Sequence, residues 1–240
     1  MLLVGALLFV RSFWNLIKVD PGFREEGILI TYLDFRRLNM PTERFTPFIR
    51  ELLAQVQTIP QVDSAATSTH IPLNGSSWNL STRVGALEGP SKFTWVSPEY
   101  FRTMQMALLA GRDFTDRDTE KSPRVAIVNE TFARKYLAGE NPIGKIIRTN
   151  PEAEYAEAQY QIVGLIKDTK YGELREPTPP ISFAPASQFP AAGPWAVMFI
   201  RFASRPPAVI AAIRDNFAQI NPAISTDANA RPASFFIVGN

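Results

Sequence analysis

Two apolar stripes of helical period, one in each half of the chain, constrain this sequence more than any other feature. Between Pro41-Thr42 and Pro60, the residues Phe45, Phe48, Ile49, Leu52, Leu53, Val56 and Ile59 share one helix face. From Pro206-Pro207 to Asn221-Pro222, Val209, Ile210, Ile213, Phe217 and Ile220 do the same. Each stripe is bracketed by β-forming runs: 28–34 and 62–69 around the first, 196–202 and 223–227 around the second. The helix exits share a pattern, Ile59-Pro60-Gln61-Val62-Asp63-Ser64 against Ile220-Asn221-Pro222-Ala223-Ile224-Ser225. A one-sided helix must cover an apolar surface, and neither unit has enough sheet to stand alone. The pattern predicts a split β-α-β sandwich, two helices packed on one sheet.

The middle of the chain, about 75–190, has a different texture. Short strands are expected at 80–84, 93–96, 125–128, 145–148 and 159–167, and short helices at 98–104 and 130–137. A polar stretch before Tyr160 reads as an exposed hairpin loop, and 173–180 and 188–194 read as linkers. The fold class is therefore α+β, with a β-rich subdomain inserted into the unit that holds the two long helices.

Composition narrows function chiefly by exclusion. Hydrophobic residues make up 45% and charged residues 20% of 240, which fits a globular chain and excludes disorder or a collagenous fibre. A net charge of +2 supplies no field that would point to nucleic acid. With no cysteine, disulfides, zinc-thiolate centres and thiol catalysis are ruled out.

The first ten residues, Met1 to Val10, are apolar, about half of the ~20 needed to cross a bilayer. A signal peptide would carry its positive charge before such a run, whereas here Arg11 and Lys18 follow it, and no convincing cleavage site comes after. Residues 1–18 read as the outer half of a transmembrane helix, with Arg11, Trp14 and Lys18 as membrane-interface anchors. Periodicity alone allows equally a buried amphipathic helix of a soluble protein.

No catalytic or metal constellation emerges. The stretch Gly139-Glu-Asn-Pro-Ile-Gly144-Lys145 imitates a phosphate loop, but Ile146 stands where the metal-binding hydroxyl belongs, and the expected order is helix then strand. It reads as a helix C-cap and a turn. Asp113, Asp116 and Asp118 alternate with arginines and lack the turn glycine of a calcium loop, so a solvated loop with local ion pairs is expected. His70 is the lone histidine and reads as a satisfied strand-end residue; a hydrolase built on it would need a nucleophile turn that is not there. The tryptophans are scattered, with Trp78 in a Gly/Ser-rich loop that suits a partner contact. We therefore expect no catalytic residues, no cofactor and no metal.

Several phrases, taken in order, resemble one family. They are Leu3-Val4-Gly5-Ala6-Leu7-Leu8 with Arg11-Ser12-Phe13, Val19-Asp20-Pro21-Gly22-Phe23, Val96-Ser97-Pro98-Glu99-Tyr100-Phe101, and Leu109-Ala110-Gly111-Arg112-Asp113-Phe114. Val128-Asn129-Glu130-Thr131-Phe132-Ala133, the Gly139–Lys145 stretch and Ile162-Val163-Gly164-Leu165-Ile166-Lys167-Asp168 complete the set. The chain resembles the periplasmic core domain of MacB/FtsX-like ABC-transporter permeases, especially the duplicated orphan permeases. The resemblance implies a domain on the outer side of the bacterial inner membrane, set between two membrane helices. It also implies a porter-like subdomain of two β-α-β units (19–74 and 191–230), a β-rich insertion (75–190) and an unmatched tail (231–240). ATP hydrolysis would reside on a cytoplasmic ABC ATPase, as a separate or fused partner. Other permease helices or a second permease copy, and periplasmic or outer-membrane partners, would complete the system, with no nucleic acid. Function would then be export or force transmission, with Asp20, Pro21, Gly22 and Phe23 as the coupling junction. The short first helix and missing later helices are the pattern expected of a piece of a longer permease. The alternative is a membrane-anchored periplasmic ligand-binding or scaffold protein, which predicts an apolar pocket with a few polar groups between the subdomains.

Overall fold

Both long helices lie against the same sheet face in the computed structural model, which describes residues 20–75, 78–151, 156–189, 193–203, 207–220 and 236–238. The first unit runs β1 (Ile28–Asp34), α1 (Thr42–Gln57), β2 (Val62–Ser68). After the middle of the chain come β10 (Trp195–Phe202), α4 (Pro207–Ile220) and β11 (Phe236–Val238). β10 pairs antiparallel with both β1 and β2, and β1 pairs antiparallel with β11. Each unit therefore straddles a strand of the other, in the order β11-β1-β10-β2. The expected strand at 223–227 lies outside the described residues, and the strand that pairs with β1 is Phe236–Val238.

Alternation along these strands feeds two cores. Leu29, Leu33, Met198 and Ile200 face the helices and pack with Leu52, Val56, Ile213 and Phe217. Ile28, Ile30, Val197 and Phe199 point the other way, into a core with Tyr100, Phe101, Phe114 and Phe183. Leu52 is wholly buried, so truncating it to alanine would cost about 2–5 kcal/mol. The sheet is thus covered on both faces.

The middle of the chain supplies β3 (Asn79–Val84), β4 (Leu87–Val96), α2 (Tyr100–Met104), β5 (Leu108–Gly111), β6 (Val125–Asn129), α3 (Glu130–Leu137), β7 (Ile146–Thr149), β8 (Ala158–Ile166) and β9 (Ile181–Pro185). β4 is longer than the expected 93–96 because it forms a tight hairpin with β3, closed at Val84 and Leu87. β5 and β9 are additions to the sequence reading. β4-β3-β7-β8-β6-β9 are neighbours in order, and β9 returns to pair parallel with β4, closing a ring. Every ring strand contributes to one core, including Leu80, Phe93, Ala126, Ile147, Tyr160 and Ala184, which Phe132, Tyr136 and Leu137 of α3 cap. Closure removes open edges from these short strands.

The ring joins the first sheet through one ladder pair, Ser68 with Val96. Side chains reinforce the joint. Ser97 Oγ accepts from Thr67 N at 2.8 Å, and Thr69 Oγ1 accepts from Trp95 N at 3.1 Å.

Candidate coupling junction and lateral groove

The chain enters the described fold through a turn closed on itself. Asp20 Oδ1 accepts from Gly22 N at 2.9 Å, and Lys167 Nζ lies 3.2 Å from Asp20 Oδ2. The Gly22 N–H, then Lys167, hold the Asp20 carboxyl below its ordinary pKa. Gly22 has φ +82°, a conformation other residues adopt only under strain. Phe23 is buried in the second core. Asp20, Pro21 and Gly22 have one packing partner in the fold.

That partner is the segment just after β8. The Pro21 carbonyl accepts from Thr169 Oγ1 at 3.0 Å and from Lys170 N at 2.8 Å. A β-carbon on Gly22 would run into the Asp168 carbonyl oxygen. Asp168 in turn turns its carboxylate to α3. It accepts from Thr131 N at 2.8 Å, Thr131 Oγ1 at 2.9 Å, Asn129 Nδ2 at 2.9 Å and Arg134 Nη2 at 2.6 Å. Its own N–H donates to Glu130 Oε2 at 3.0 Å. A carboxylate over the first turn of a helix meets unpaired N–H groups there and the positive end of the dipole. Asn129 completes the cap, accepting from Phe132 N at 3.0 Å and from Ile181 N at 2.9 Å.

Beyond Asp168 the same segment reaches the loop that follows β2. The Tyr171 carbonyl accepts from Leu73 N at 2.8 Å and contacts His70 Nε2 at 3.2 Å, while the two rings stack at 3.9 Å. Burial is the main cause that pulls the His70 pKa down to about 4, so the ring is neutral at physiological pH. It is a satisfied, buried packing residue. Sequence reasoning passed over Asp168, Asn129, Thr131 and Tyr171; the only signal was that the first three lie within the phrases of the family resemblance.

A second feature is a groove of about 230 Å³ between α1 and the loops that follow β4, β5 and β9. Ile49 and Leu53 of α1 form one wall; Trp95, Phe189 and Trp195 contribute aromatic surface. Trp195 is 45% exposed, whereas Trp95 is buried. Arg50 of α1 reaches across to Asp116 at 3.6 Å. Trp78 meets Trp95 edge to face at 5.8 Å, so tryptophans scattered in sequence converge in space.

The remaining motifs resolve plainly. Gly139–Lys145 follows α3 and precedes β7, with Ala138 and Gly139 both at positive φ, as a C-cap rather than a phosphate cradle. The acidic loop is less solvated than expected, because Asp118 is only 6% exposed. Burial opposes its charge, but Arg112, bonded to both its oxygens at 2.8 Å, and Thr115 N hold its carboxyl below the usual range. Among the described residues no group of three or more His, Asp or Glu is placed to hold a metal ion, and no helix is long and apolar enough to cross a membrane. Arg11, Trp14 and Lys18 lie outside the described residues.

Comparison with known proteins identifies the architecture. The sequence profile described as the MacB-like periplasmic core domain matches residues 4–220. The macrolide export ATP-binding/permease protein MacB of Mannheimia succiniciproducens is 21% identical over 175 residues, 71% of this chain and 26% of that protein. The chain thus spans about a quarter of the length of that relative. Among solved structures, the periplasmic region of MacB from Actinobacillus actinomycetemcomitans superposes with a TM-score of 0.57 at 14% identity, covering 92% of each chain. The extracellular domain of the noncanonic ABC-type transporter YknZ from Gram-positive bacteria gives 0.53 at 15% identity, covering 82% of this chain and 96% of that one. At such identities these likenesses concern the fold.

Proposed function

Since this chain belongs to the MacB-like periplasmic core domain family, we propose that it is the extracytoplasmic domain of an inner-membrane ABC permease and passes on motion rather than catalysing a reaction. An ABC ATPase on the cytoplasmic side supplies the energy, as a separate subunit or a fused domain. In this reading residues 1–18 are the outer half of a transmembrane helix, with Arg11, Trp14 and Lys18 as its membrane-interface anchors. The porter-like part is 19–74 with 191–230, and the insertion is 75–190; the adjacent strands β1, β10 and β2 and the closed ring formed within 75–190 support that division. The output is export of a substrate or force on an envelope partner, through neighbouring permease helices or a second permease copy.

One observation carries the coupling reading. The junction is clamped onto the insertion: Pro21 accepts two hydrogen bonds from Thr169 and Lys170, and Gly22 packs against the backbone at Asp168. A passive connector has no need of such a contact. Displacement of the first membrane helix would reach Asp168, and through it α3, without passing through β1. The test uses the full-length permease with its ATPase in lipid vesicles. With Pro21→Ala and Gly22→Ala combined, ATP hydrolysis should persist while ATP-dependent movement of a spin label on exposed Lys121 is lost. Label movement and export equal to those of the parent would sink this reading.

A further inference from the structure

Where β3 and β7 meet, the ring carries a cleft of about 520 Å³ lined by Arg83, Val84, Gly85, Lys145, Ile146 and Arg148. The charged part of this lining is three basic side chains and no acid. Register sets two of them against one another: β3 and β7 run antiparallel, with Arg83 directly opposite Arg148. Directly opposed residues share a face, with Cβ atoms about 4.5–5.5 Å apart, and like charges so placed repel.

The neighbouring carboxylates do little to offset that repulsion. Glu88 sits opposite Arg83 on β4, but its Oε1 accepts from Asn150 Nδ2 at 2.6 Å and from Ser81 Oγ at 3.3 Å. Glu157 approaches Arg83 only to 3.9 Å, longer than a hydrogen bond. Lys145 pairs with Glu140 at 2.9 Å, both side chains being exposed, and such surface pairs are weak and readily screened. On its other side Arg148 meets the uncharged Gln159 of β8. Among the described residues no ion pair engages Arg148. Two guanidinium forks and an ammonium thus surround one opening, the donor set that suits the oxygens of a phosphate group. Ile146, exposed in the same lining, adds an apolar surface beside them.

We propose that this cleft binds a phosphate group, with Arg83 and Arg148 donating to its oxygens, Lys145 supplying a third positive charge, and the rest of the ligand lying over Ile146. The bound anion offsets the repulsion that the register builds in. The ligand is a phosphate ester, either soluble or the headgroup of a phospholipid. The cleft shares no residue with the junction and its binding is measured without the ATPase, so its failure would leave the coupling reading untouched.

The experiment is isothermal titration calorimetry of the 240-residue chain with two probes, inorganic pyrophosphate and dihexanoyl phosphatidate below its micelle concentration. In low salt the expected Kd for pyrophosphate is on the order of 0.1–1 mM, weakening as salt rises. Arg148→Gln should weaken it about five- to tenfold, and Arg148→Lys should recover only part, because an ammonium lacks the fork. Glu157→Gln should tighten it about twofold by removing a competitor for Arg83. Lys121→Gln removes an exposed cation outside the cleft and should change nothing. Without ligand, Arg148→Gln should unfold at the parental urea midpoint or above it, since it relieves a like-charge pair, so its lost binding is not damage to the fold. Phosphatidate binding about threefold tighter than pyrophosphate, and reversed by Ile146→Asn, assigns a lipid headgroup; equal affinity assigns a soluble phosphate ester. Binding of neither probe, binding indifferent to Arg148→Gln, an equal loss from Lys121→Gln, or a lowered ligand-free midpoint in Arg148→Gln would overturn the site.

Discussion

Gly22 lies so close to Asp168 that a β-carbon on it would occupy the space of the Asp168 carbonyl oxygen. Gly22 also holds φ +82°. Gly22→Ala must therefore accept a strained backbone, or move the turn off residues 168–170, or both. We expect a loss of about 1–3 kcal/mol in urea unfolding. Pro21→Ala keeps the carbonyl that accepts from Thr169 and Lys170, and should cost less than 1 kcal/mol, the smaller effect of a looser unfolded chain. Equal losses from the two would show that the close approach is unimportant.

Asp168 is the node where the junction meets α3. Its carboxylate accepts from Asn129, Thr131 and Arg134 in a part-buried position. Asp168→Ala leaves the first turn of α3 without its acceptor and should cost about 2–3 kcal/mol. Asp168→Asn keeps one acceptor oxygen and loses the charge, so it should recover part of that. Amide exchange at Thr131 and Phe132 gives a local reading: it should speed up in the alanine variant, whereas amides of β10 report only the global change.

Much of this architecture was legible in the sequence, and the missing parts share a cause. The long helices and their strands showed because 3.6- and 2-residue periods survive wherever an element has one apolar face. β9 did not show: all five residues from Ile181 to Pro185 are buried, so no alternation marks them, and prolines flank the run. β5 is short and mostly exposed, and it exists because Gly111 packs against the Val163 carbonyl of β8. The ring closure rests on a parallel β4–β9 pairing between residues far apart in the chain, which no local pattern encodes. The family phrases were readable one by one, yet their physical sense lies in their contacts. Gly144 N donates to Ile162 O, Gly111 pairs with Gly164, and Asp168 bonds Asn129 and Thr131. Each meets at β8 or its exit. The turn at Asp20–Gly22 is legible in its turn chemistry; the contacts of Asp168 and Tyr171 are not, because they consist of non-local hydrogen bonds. The groove was invisible for the same reason, being assembled from separated stretches.

His70 and Asp113 should give the protein a pH response that is nearly silent until one of them is removed. Burial is the chief cause for both: it pulls His70 down to about 4 and pushes Asp113 up to about 6. The folded-state pKa of His70 lies below the ordinary 6.5, so its neutral form favours folding above pH 6.5. That contribution falls away as pH drops toward 4, by up to about 3 kcal/mol. Asp113 has the opposite sign. Its raised pKa favours folding below the ordinary 3.8, and that contribution is lost as pH rises through 6. In the wild type the two slopes oppose one another between about pH 4 and 6. His70→Gln should leave stability falling as pH rises in this window, and Asp113→Asn should leave it rising. Urea midpoints at half-unit intervals measure both slopes, and identical profiles in the two variants would refute the assignment.

Arg201 ties the entry segment to α2 from beneath the sheet. The residue is 7% exposed, and its guanidinium donates to three backbone carbonyls: Thr103 O at 2.5 Å, Glu26 O at 2.8 Å and Arg24 O at 2.8 Å. Thr103 lies in the last turn of α2, where carbonyls lack helical partners, and residues 24–26 directly follow the junction. Only a planar fork with several donors reaches all three acceptors at once. Arg201→Met preserves much of the apolar stem but strands three acceptors, and should cost about 3 kcal/mol. Arg201→Lys carries the charge yet offers a shorter, single-point head, so it should recover less than half of that loss. If lysine restored the parental urea midpoint, charge alone would account for the site, and the fork would not be what fixes the entry segment against α2.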